Sequence, residues 1–255
     1  MSERILTTKD GSTTLYSEKF DQYYHNPNGA ASESIYVFFE QSGLFESLNN
    51  TDSLTILEIG FGTGLNFLLL ADHLKKNNID TQVKFYSIEA FPIDKQTASN
   101  INFKDHISDP EIKNSLPVIF DSLKPGMNLI KPFDNLNIEL NLFYGFFDDF
   151  IEADISADFI FHDAFSPEVN EELWTVTTFE KLAKLSHKET MLTTYCAASG
   201  ARAAMSTAGW YLAKTRGALG KREMTVASQA EEKLRNFKRL NESRLIERYK
   251  KGDFD

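Results

Sequence analysis

Hydrophobic and polar positions alternate along the chain with two periods, one typical of strands and one typical of helices. From residue 54 onward, short runs of β-branched and aromatic residues are each followed by a segment with apolar residues at helical spacing. Strands are predicted at 54–59, 83–89, 138–144, 158–162 and 190–196, and helices at 66–76, 93–100, 172–185 and 200–208. Runs 210–215 and 224–228 predict a closing hairpin. This order predicts a Rossmann-like, doubly wound α/β sheet with an antiparallel C-terminal strand.

The same pattern divides the chain into three parts. These are an N-terminal extension (1–50), an α/β domain (51–230) and a basic helical tail (231–255). In the extension, Asp10-Gly11 predicts a hairpin, and residues 32–41 have the spacing of a helix. Segment 102–135 contains four prolines, and we expect helical insertions there, near the ligand-binding edge of the sheet.

A glycine-rich turn joins the first strand of the α/β pattern to its first helix, in the run T-I-L-E-I-G-F-G-T-G-L-N at 55–66. Glycines let the backbone approach a ligand closely, and the helix start behind them offers free N–H groups. A dinucleotide-binding turn has the spacing G-x-G-x-x-G, with its last glycine where Leu65 stands here. The spacing E-x-G-x-G-x-G instead resembles motif I of class I S-adenosylmethionine methyltransferases. This resemblance implies that the cofactor is bound by Glu58, Gly60, Gly62, Gly64 and Asn66.

Acidic residues also follow the ends of later strands. Glu89 ends the second strand, where an acid can accept both ribose hydroxyl protons of a nucleoside. Asp148 follows the third strand and is a candidate acceptor for the adenine amino group, with a helix N-cap as the alternative. Asp163 ends the fourth strand among apolar residues, where an unpaired carboxylate is costly. We expect Asp163 to orient or deprotonate a nucleophile; an Asx turn with Ser166 is the structural alternative.

Composition places the chain among globular proteins, with 255 residues, 42% hydrophobic and 25% charged. The polar start carries no secretory signal, and the apolar run at 67–71 is far too short to span a bilayer. Cys196 is the only cysteine, which excludes an intrachain disulfide. A cytoplasmic protein without membrane contact is therefore expected. The five histidines lack ligand spacing, so no metal site is predicted, and His162 is expected to be a packed residue.

Charge is distributed unevenly along the chain. Residues 202–251 contain 13 Lys/Arg and 5 Asp/Glu, a net charge of +8, whereas the whole chain has a net charge of −10. Such asymmetry can mark an anionic partner, with a solvated C-terminal helix as the alternative. The glycine-flanked basic turn around Lys221 and Arg222 can grip phosphate or form an ordinary hairpin loop.

Several motifs taken together resemble one family, the tRNA 5-aminomethyl-2-thiouridine methyltransferases, which is the methyltransferase domain of MnmC. The matching segments are 16–21 (YSEKFD), 60–67 (GFGTGLNF), 89–92 (EAFP), 163–167 (DAFSP) with Trp174, 194–195 (TY) with Arg202, and 220–224 (GKREM). The family pattern usually has an acid directly after the glycine of the third strand, where this chain has Phe146. Cys196 and Ala197 replace the smaller or hydroxyl residues common in the family after Thr-Tyr.

The resemblance implies S-adenosylmethionine-dependent N-methylation of the 5-aminomethyl group of wobble (2-thio)uridine, giving 5-methylaminomethyl-2-thiouridine. Asp163 is the implied catalytic residue, and tRNA, through its anticodon region, is the implied partner. Substrate contacts are expected from Tyr16, Phe165, Arg202, Lys221 and Arg222. No FAD domain follows in this sequence, so a separate enzyme is expected to make the aminomethyl substrate.

Three alternatives to this interpretation remain. The same fold can methylate another amine, on a small molecule or a protein, because fold does not determine substrate. A non-catalytic RNA-binding protein with a decayed cofactor site is a second alternative, disfavoured by the intact Glu58, Glu89 and Asp163. A nicotinamide oxidoreductase is a third, disfavoured by Leu65 in the glycine turn.

Overall fold

The computed structural model describes residues 4–103, 106–151 and 154–254. A small antiparallel sheet comes first, formed by β1 (Arg4–Thr7), β2 (Thr13–Ser17) and β3 (Gln22–Tyr23). A nine-stranded sheet follows, formed by β4 (Ser53–Ile59), β5 (Gln82–Glu89), β6 (Gly126–Ile130), β7 (Ile138–Tyr144), β8 (Ala157–His162), β9 (Ser186–Thr194), β10 (Tyr211–Thr215), β11 (Met224–Ser228) and β12 (Lys238–Arg239). Its spatial order is β12-β10-β11-β9-β8-β4-β5-β7-β6.

Helices connect these strands. The α-helices of the described residues are α1 (Ala30–Ser34), α2 (Leu44–Leu48), α3 (Leu65–Lys76), α4 (Lys95–Asn100), α5 (Pro110–Lys113), α6 (Leu116–Ser122), α7 (Val176–Lys184), α8 (Ser199–Thr207) and α9 (Glu242–Lys250). A π-helix lies at Ile35–Glu40. Short 3-10 turns lie at Phe147–Asp149, Glu171–Trp174, Ala218–Gly220 and Glu231–Leu234. Among the helices of the described residues, none combines the length and the hydrophobicity that a membrane span requires.

The large sheet confirms the predicted fold class. Neighbouring strands β9, β8, β4, β5 and β7 all pair in parallel, and β11 pairs antiparallel with both β9 and β10. Both faces of the parallel strands are covered: Ile56 and Phe161 belong to one buried cluster, and Leu57 and Ile160 belong to the other. The carboxyl ends of β4, β5, β7 and β8 therefore meet at one edge, where open α/β sheets bind ligands.

The N-terminal hairpin forms as predicted around Asp10-Gly11, with β1 antiparallel to β2. The Asp10 carboxylate accepts hydrogen bonds from the hydroxyls of Thr8 and Ser12, and from the backbone and side chain of Ser32. These bonds hold the pKa of Asp10 well below its usual range despite the opposing effect of burial. The two hydrogen bonds from Ser32 therefore connect the hairpin to α1.

Several elements differ from their predicted form. The helix predicted at 32–41 is α1 followed directly by the π-helix, where Val37, Phe38 and Phe39 are all buried. Three consecutive buried residues cover a wider arc than one α-helical face offers, and the π turn accommodates them. The helix predicted at 172–185 is split into a 3-10 turn and α7, because the Thr175 side chain caps α7 at the Thr178 amide.

Two regions contribute strands to the large sheet that were not predicted. Segment 102–135 contains the expected helices α5 and α6, and also β6, which pairs antiparallel with β7 at the sheet edge. The basic tail is a 3-10 turn, the edge strand β12 and α9, rather than one helix. Asn241 starts α9 by accepting a hydrogen bond from the Arg244 amide. Leu234 is fully buried in this tail, so the tail packs against the rest of the fold.

Candidate active site

A cavity of about 420 Å³ opens at the carboxyl edge of the parallel strands. The residues that follow four adjacent strands all line it: Gly60 after β4, Ala90 after β5, Gly145 after β7 and Asp163 after β8. The backbone hydrogen bonds between neighbouring strands continue for one residue past the strand ends. The amides of Gly60, Gly145 and Asp163 each donate to a backbone carbonyl of a neighbouring strand at 3.0 Å. The opposite wall comes from the N-terminal extension, residues 20–27 and α1.

The glycine turn has left-handed backbone at all three glycines, with φ of +94° at Gly60, +56° at Gly62 and +75° at Gly64. A Cβ atom at Gly60 would lie 2.8 Å from the backbone oxygen of Asp163, so only glycine lets β4 and β8 approach here. A Cβ at Gly62 would lie 3.3 Å from the Tyr24 ring. The turn thus presents bare backbone to the cavity, a form suited to close contact with a nucleoside cofactor.

Glu89 is held at the end of β5 by two backbone amides. Its carboxylate accepts hydrogen bonds from Gly62 N and Phe91 N, both at 2.8 Å. Because a carboxylate can accept roughly four hydrogen bonds, these contacts fix its orientation without excluding ribose hydroxyls. The side chain therefore links the glycine turn to the end of the neighbouring strand.

A buried polar network lies behind the glycine turn. The side-chain amide of Asn66 donates to Glu58 Oε1 at 2.9 Å and to Asp163 Oδ2 at 3.1 Å. The Ser87 hydroxyl donates to Glu58 Oε2 at 2.6 Å. Since both neighbours of the amide are carboxylates, its nitrogen must face them. Asn66 therefore fixes one oxygen of Asp163 from below the cavity.

Burial raises the affinity of both acids of this network for a proton. Burial raises the pKa of Glu58 to about 7, although the bonds from Ser87 and Asn66 act in the opposite direction. Burial, together with the negative charges of Glu58 and Glu33, raises the pKa of Asp163 well above its ordinary value. Both acids therefore hold a proton more tightly than an exposed carboxylate does.

Comparison with known proteins identifies the family. Residues 120–230 match the family described as S-adenosyl-L-methionine-dependent methyltransferase. The chain is 33% identical over 233 residues to the tRNA 5-methylaminomethyl-2-thiouridine biosynthesis bifunctional protein MnmC of Leptospira interrogans, covering 89% of this chain and 35% of that protein. It is 34% identical over 213 residues to the MnmC of Campylobacter concisus, covering 83% and 33% respectively. The chain thus spans about a third of the length of the curated relatives it matches.

A solved structure agrees with these relatives. The crystal structure of MNMC2 from Aquifex aeolicus matches with a TM-score of 0.73 and 25% identity, covering 97% of this chain and 75% of that chain. The chain belongs to the methyltransferase-domain family of MnmC. The resemblance inferred from the motifs is confirmed, and S-adenosylmethionine is the cofactor of this methyltransferase.

Not every predicted cofactor residue of this methyltransferase faces the cavity. Gly60, Gly62, Glu89 and Asp148 line it, as does Asp163. The other three, which lie behind the turn, are Glu58, Gly64 and Asn66. Glu58 is only 1% exposed and Asn66 only 3% exposed. The side chains of Glu58 and Asn66 face the network rather than the cavity, and we expect them to position the site.

Asp163 is held by its surroundings in a way that favours function over a simple turn. No bond joins Asp163 to Ser166 among the described residues; the Ser166 amide donates to Gln22 Oε1 at 3.4 Å instead, so the alternative Asx turn does not form. The Tyr195 hydroxyl donates to the Ala164 carbonyl at 2.8 Å. Burial and the nearby Asp163 raise the pKa of Tyr195 well above its usual value, which keeps its proton in place as a donor.

The predicted substrate residues fall into different places. Phe165 lines the cavity and contacts the rings of Phe20 and Tyr24. Lys221 also lines the cavity, whereas Arg222 is exposed outside it. Tyr16 does not line the cavity; its hydroxyl donates to Asp21.

The structure corrects the substrate contact that was expected for Arg202. This side chain is only 8% exposed, and its guanidinium donates to Thr225 Oγ1, the Glu223 carboxylate and the Met224 carbonyl. These partners satisfy the cation between α8 and β11, because a buried guanidinium is stable only when paired. Arg202 therefore connects α8 to β11 and does not line the cavity.

Among the cavity residues that the sequence analysis missed are an acid and a histidine of the N-terminal extension. Glu33 and His25 line the cavity although no spacing relates them to the strand ends. Burial lowers the pKa of His25 to about 4, so its imidazole is neutral beside Thr63 of the glycine turn. His162, by contrast, is a packed residue as expected, in contact with Trp174 and Phe179.

Proposed function

We propose that this methyltransferase transfers a methyl group to the 5-aminomethyl group of wobble (2-thio)uridine in tRNA, giving the 5-methylaminomethyl nucleoside. The observation that carries the proposal is Asp163, a carboxylate held by Asn66 inside the cavity and directly beside the glycine turn. The printed name of the curated relatives, tRNA 5-methylaminomethyl-2-thiouridine biosynthesis, supports the choice of substrate. The reaction would take place in the cytoplasm, where tRNA is found, after a separate enzyme makes the amine.

The cofactor would lie along the glycine turn. The bare backbone at Gly60 and Gly62 would contact its methionine and ribose parts, and Glu89 would accept the ribose hydroxyl protons. Phe146, 55% exposed, stands where the family has an acid, and Asp148 is the nearby acid that lines the cavity. When bound, S-adenosylmethionine supplies a methyl group activated by its sulfonium.

Asp163 would prepare the amine for attack. A primary alkylamine is mostly protonated at neutral pH, as a lysine side chain is, and it must lose a proton before it can act as a nucleophile. Once that proton has passed to solvent, the carboxylate of Asp163 would accept an N–H bond from the neutral amine and direct its lone pair, and it would take up a proton as the methyl group is transferred. The nitrogen lone pair then forms the N–C bond while the electrons of the S–C bond leave with sulfur. Holding nitrogen and carbon in line at about 3 Å supplies much of the rate.

The target base must leave its stack to reach this cavity. Aromatic rings surround the opening: Phe91 and Phe146 are exposed and lie in edge contact at 5.7 Å, and Phe20 contacts Phe91 at 5.5 Å. Such rings can stack unpaired bases. Lys221 and Arg222 would contact phosphates of the anticodon region.

The proposal is tested by offering different amines with labelled S-adenosylmethionine. We expect label on tRNA that carries 5-aminomethyl-2-thiouridine, and none on a lysine-rich peptide or on the same tRNA without the aminomethyl group. Label on the peptide alone would favour the alternative of a different amine substrate. Cofactor binding without transfer to any amine would favour a non-catalytic protein.

A further inference from the structure

A second carboxylate, that of Glu33, lines the same cavity as Asp163. Glu33 lies in α1, two residues before the π-helix Ile35–Glu40, and its side chain is only 12% exposed. π-Helical turns within helices are frequent at functional sites. An acid this enclosed is costly unless it has partners, so its contacts indicate what it does.

The two side chains that bind the Glu33 carboxylate both contact the same oxygen, Oε1. Lys221 Nζ lies 2.6 Å from Oε1, and Asn26 Nδ2 donates to Oε1 at 3.3 Å. Within the described ranges, no group donates to the other oxygen, Oε2. Asp163 has the same arrangement, with Asn66 on Oδ2 and no described donor on Oδ1. Each acid thus has one anchored oxygen and one oxygen left for a ligand.

The two acids belong to one continuous set of contacts. Lys221, which holds Glu33, lies with Nζ 5.0 Å from the centre of the Tyr195 ring. Tyr195 in turn donates to the carbonyl of Ala164, next to Asp163. Each carboxylate is therefore anchored from its own side, Glu33 by the basic turn and Asp163 by the network behind the glycine turn.

A neutral primary amine has two N–H groups and one lone pair. If each N–H is bound by a separate carboxylate, the lone pair has one direction left, toward the methyl donor. We propose that Glu33 and Asp163 each accept one N–H of the substrate amine, and that this pair restricts the enzyme to a single methylation. The inference rests on the proposed function, because it assigns roles at the same site.

The restriction follows from the product. When the nitrogen lone pair forms the N–C bond, the electrons of the S–C bond stay on sulfur and one N–H proton goes to Asp163. The resulting secondary amine has one N–H and one methyl group. On return to the site, its methyl would face a carboxylate whose acceptor stays unpaired, and sites built to bind an N–H reject analogues that lack it. Glu33 is then a specificity-determining residue.

An isosteric variant tests the first half of the proposal. In Glu33→Gln, Lys221 and Asn26 both require an oxygen at the Oε1 position, so the amide nitrogen must take the place of Oε2. An acceptor becomes a donor with no change of volume. We expect the single-turnover rate on 5-aminomethyl tRNA to fall about tenfold or more, with the unfolding temperature and the Kd for S-adenosylmethionine unchanged. An unchanged rate would overturn the proposal.

Glu33→Leu tests the second half, because leucine can contact an N-methyl group. Single-turnover reactions are run with two tRNAs, one carrying the primary amine and one carrying the methylamine, and nucleosides are analysed by mass spectrometry. We expect the wild type and the control Glu40→Leu, at an exposed acid of the π-helix, to add no methyl to the methylamine. Glu33→Leu should form the dimethylated nucleoside.

The outcomes separate the two proposals. A wild type that leaves the primary amine unmethylated contradicts the proposed function itself. A wild type that methylates it once, with Glu33→Leu equally restricted to one methyl, overturns the role of Glu33 and leaves the proposed function standing. Should Glu33→Leu fail to fold, Glu33→Gln decides through the rate on the primary amine.

Discussion

At the scale of single residues, the site depends on carboxylates with different surroundings. Each carboxylate oxygen of Glu89 accepts a hydrogen bond from a backbone amide. One oxygen of Asp163 accepts a hydrogen bond from the Asn66 side-chain amide. Glu58 is buried, and both of its oxygens accept hydrogen bonds from side chains. Backbone amides favour the charged form, whereas burial favours the protonated form. In the proposed function, the same side-chain chemistry would thus serve ribose binding at one strand end and proton transfer at another.

Glu58 makes stability depend on pH in a defined direction. Its folded-state pKa of about 7 exceeds the ordinary 4.5, so the folded state binds this proton more tightly than the unfolded state. Stability is therefore lost as pH rises from about 4.5 to about 7. Glu58→Gln does not titrate at this position. We therefore expect the free energy of unfolding of Glu58→Gln, relative to that of the wild type, to increase by about 1–3 kcal/mol when the pH is raised from about 5 to about 8. Urea unfolding at both pH values measures this; a difference that does not change with pH would refute it.

Glu89 is expected to hold the cofactor. Glu89→Ala removes the acceptor for two ribose hydroxyls, and hydrogen bonds to a charged group contribute roughly 1.5–3 kcal/mol each. We predict that the Kd for S-adenosylmethionine, measured by calorimetry, rises at least about a hundredfold. The matched control Glu180→Ala, at an exposed acid of α7, should bind as the wild type does. Equal affinity of the two variants would remove the ribose assignment.

At the scale of elements, the strand and turn around the glycine loop were predictable, and the contacts of the N-terminal extension were not. The turn is encoded locally, since an apolar strand, alternate glycines and a helix start follow one another in the sequence. The pairing of Glu33 with Lys221 joins residues far apart in the chain, and no periodicity reports it. Arg202 shows the reverse case, in which a motif residue proves to be a buried structural cation.

Unpredicted elements have a similar cause. Edge strand β6 has only five residues and alternates between exposed and half-buried positions, so its hydrophobic signal is weak. Prolines on both sides of it also favour an irregular segment. The π-helix depends on how Phe38 and Phe39 pack against Phe161 across the fold. Tertiary packing, rather than local propensity, determines both.

The role of the close approach between β4 and β8 can be tested by substituting two glycines whose φ angles are nearly equal. Gly60 has φ of +94° with the Asp163 carbonyl 2.8 Å from a would-be Cβ, and Gly126 has φ of +91° with nothing within 4 Å. Both alanine variants should lose about 1–3 kcal/mol to backbone strain. Only Gly60→Ala should also displace Asp163 and lower the single-turnover methyl-transfer rate, by tenfold or more. Equal rates in the two variants would show that the contact has no role in the site.

At the scale of the whole molecule, charge separates the two ends of the chain. Many cations of the basic tail are paired internally, as Arg239 is with Glu231 and Glu242. Other basic residues are exposed and have no ion pair among the described residues: Arg216, Arg222, Arg235, Lys238 and Arg244. An acidic protein with such a basic region can bind a polyanion there while the remaining surface repels it.

Binding of tRNA should therefore depend on salt. Each phosphate contact contributes roughly 0.7–0.9 to the slope of log K against log salt concentration. We expect Arg222→Gln to weaken binding and to reduce this slope by about one, as measured by fluorescence anisotropy across a salt series. Arg248→Gln is the control, because Arg248 is paired with Asp253 at 2.9 Å. Affinity that ignores salt in the wild type would contradict phosphate binding by this region.

The central claim is that Asp163 prepares the wobble amine for methyl transfer. The most direct test is nucleoside mass spectrometry of tRNA carrying 5-aminomethyl-2-thiouridine, after reaction with S-adenosylmethionine and either wild type or Asp163→Asn. In this variant the Asn66 donor holds the new carbonyl oxygen, so an amide donor replaces the free acceptor. We predict one added methyl with the wild type and at least a hundredfold lower rate with the variant, at equal cofactor affinity. Equal rates of methylation by the two proteins would contradict the account.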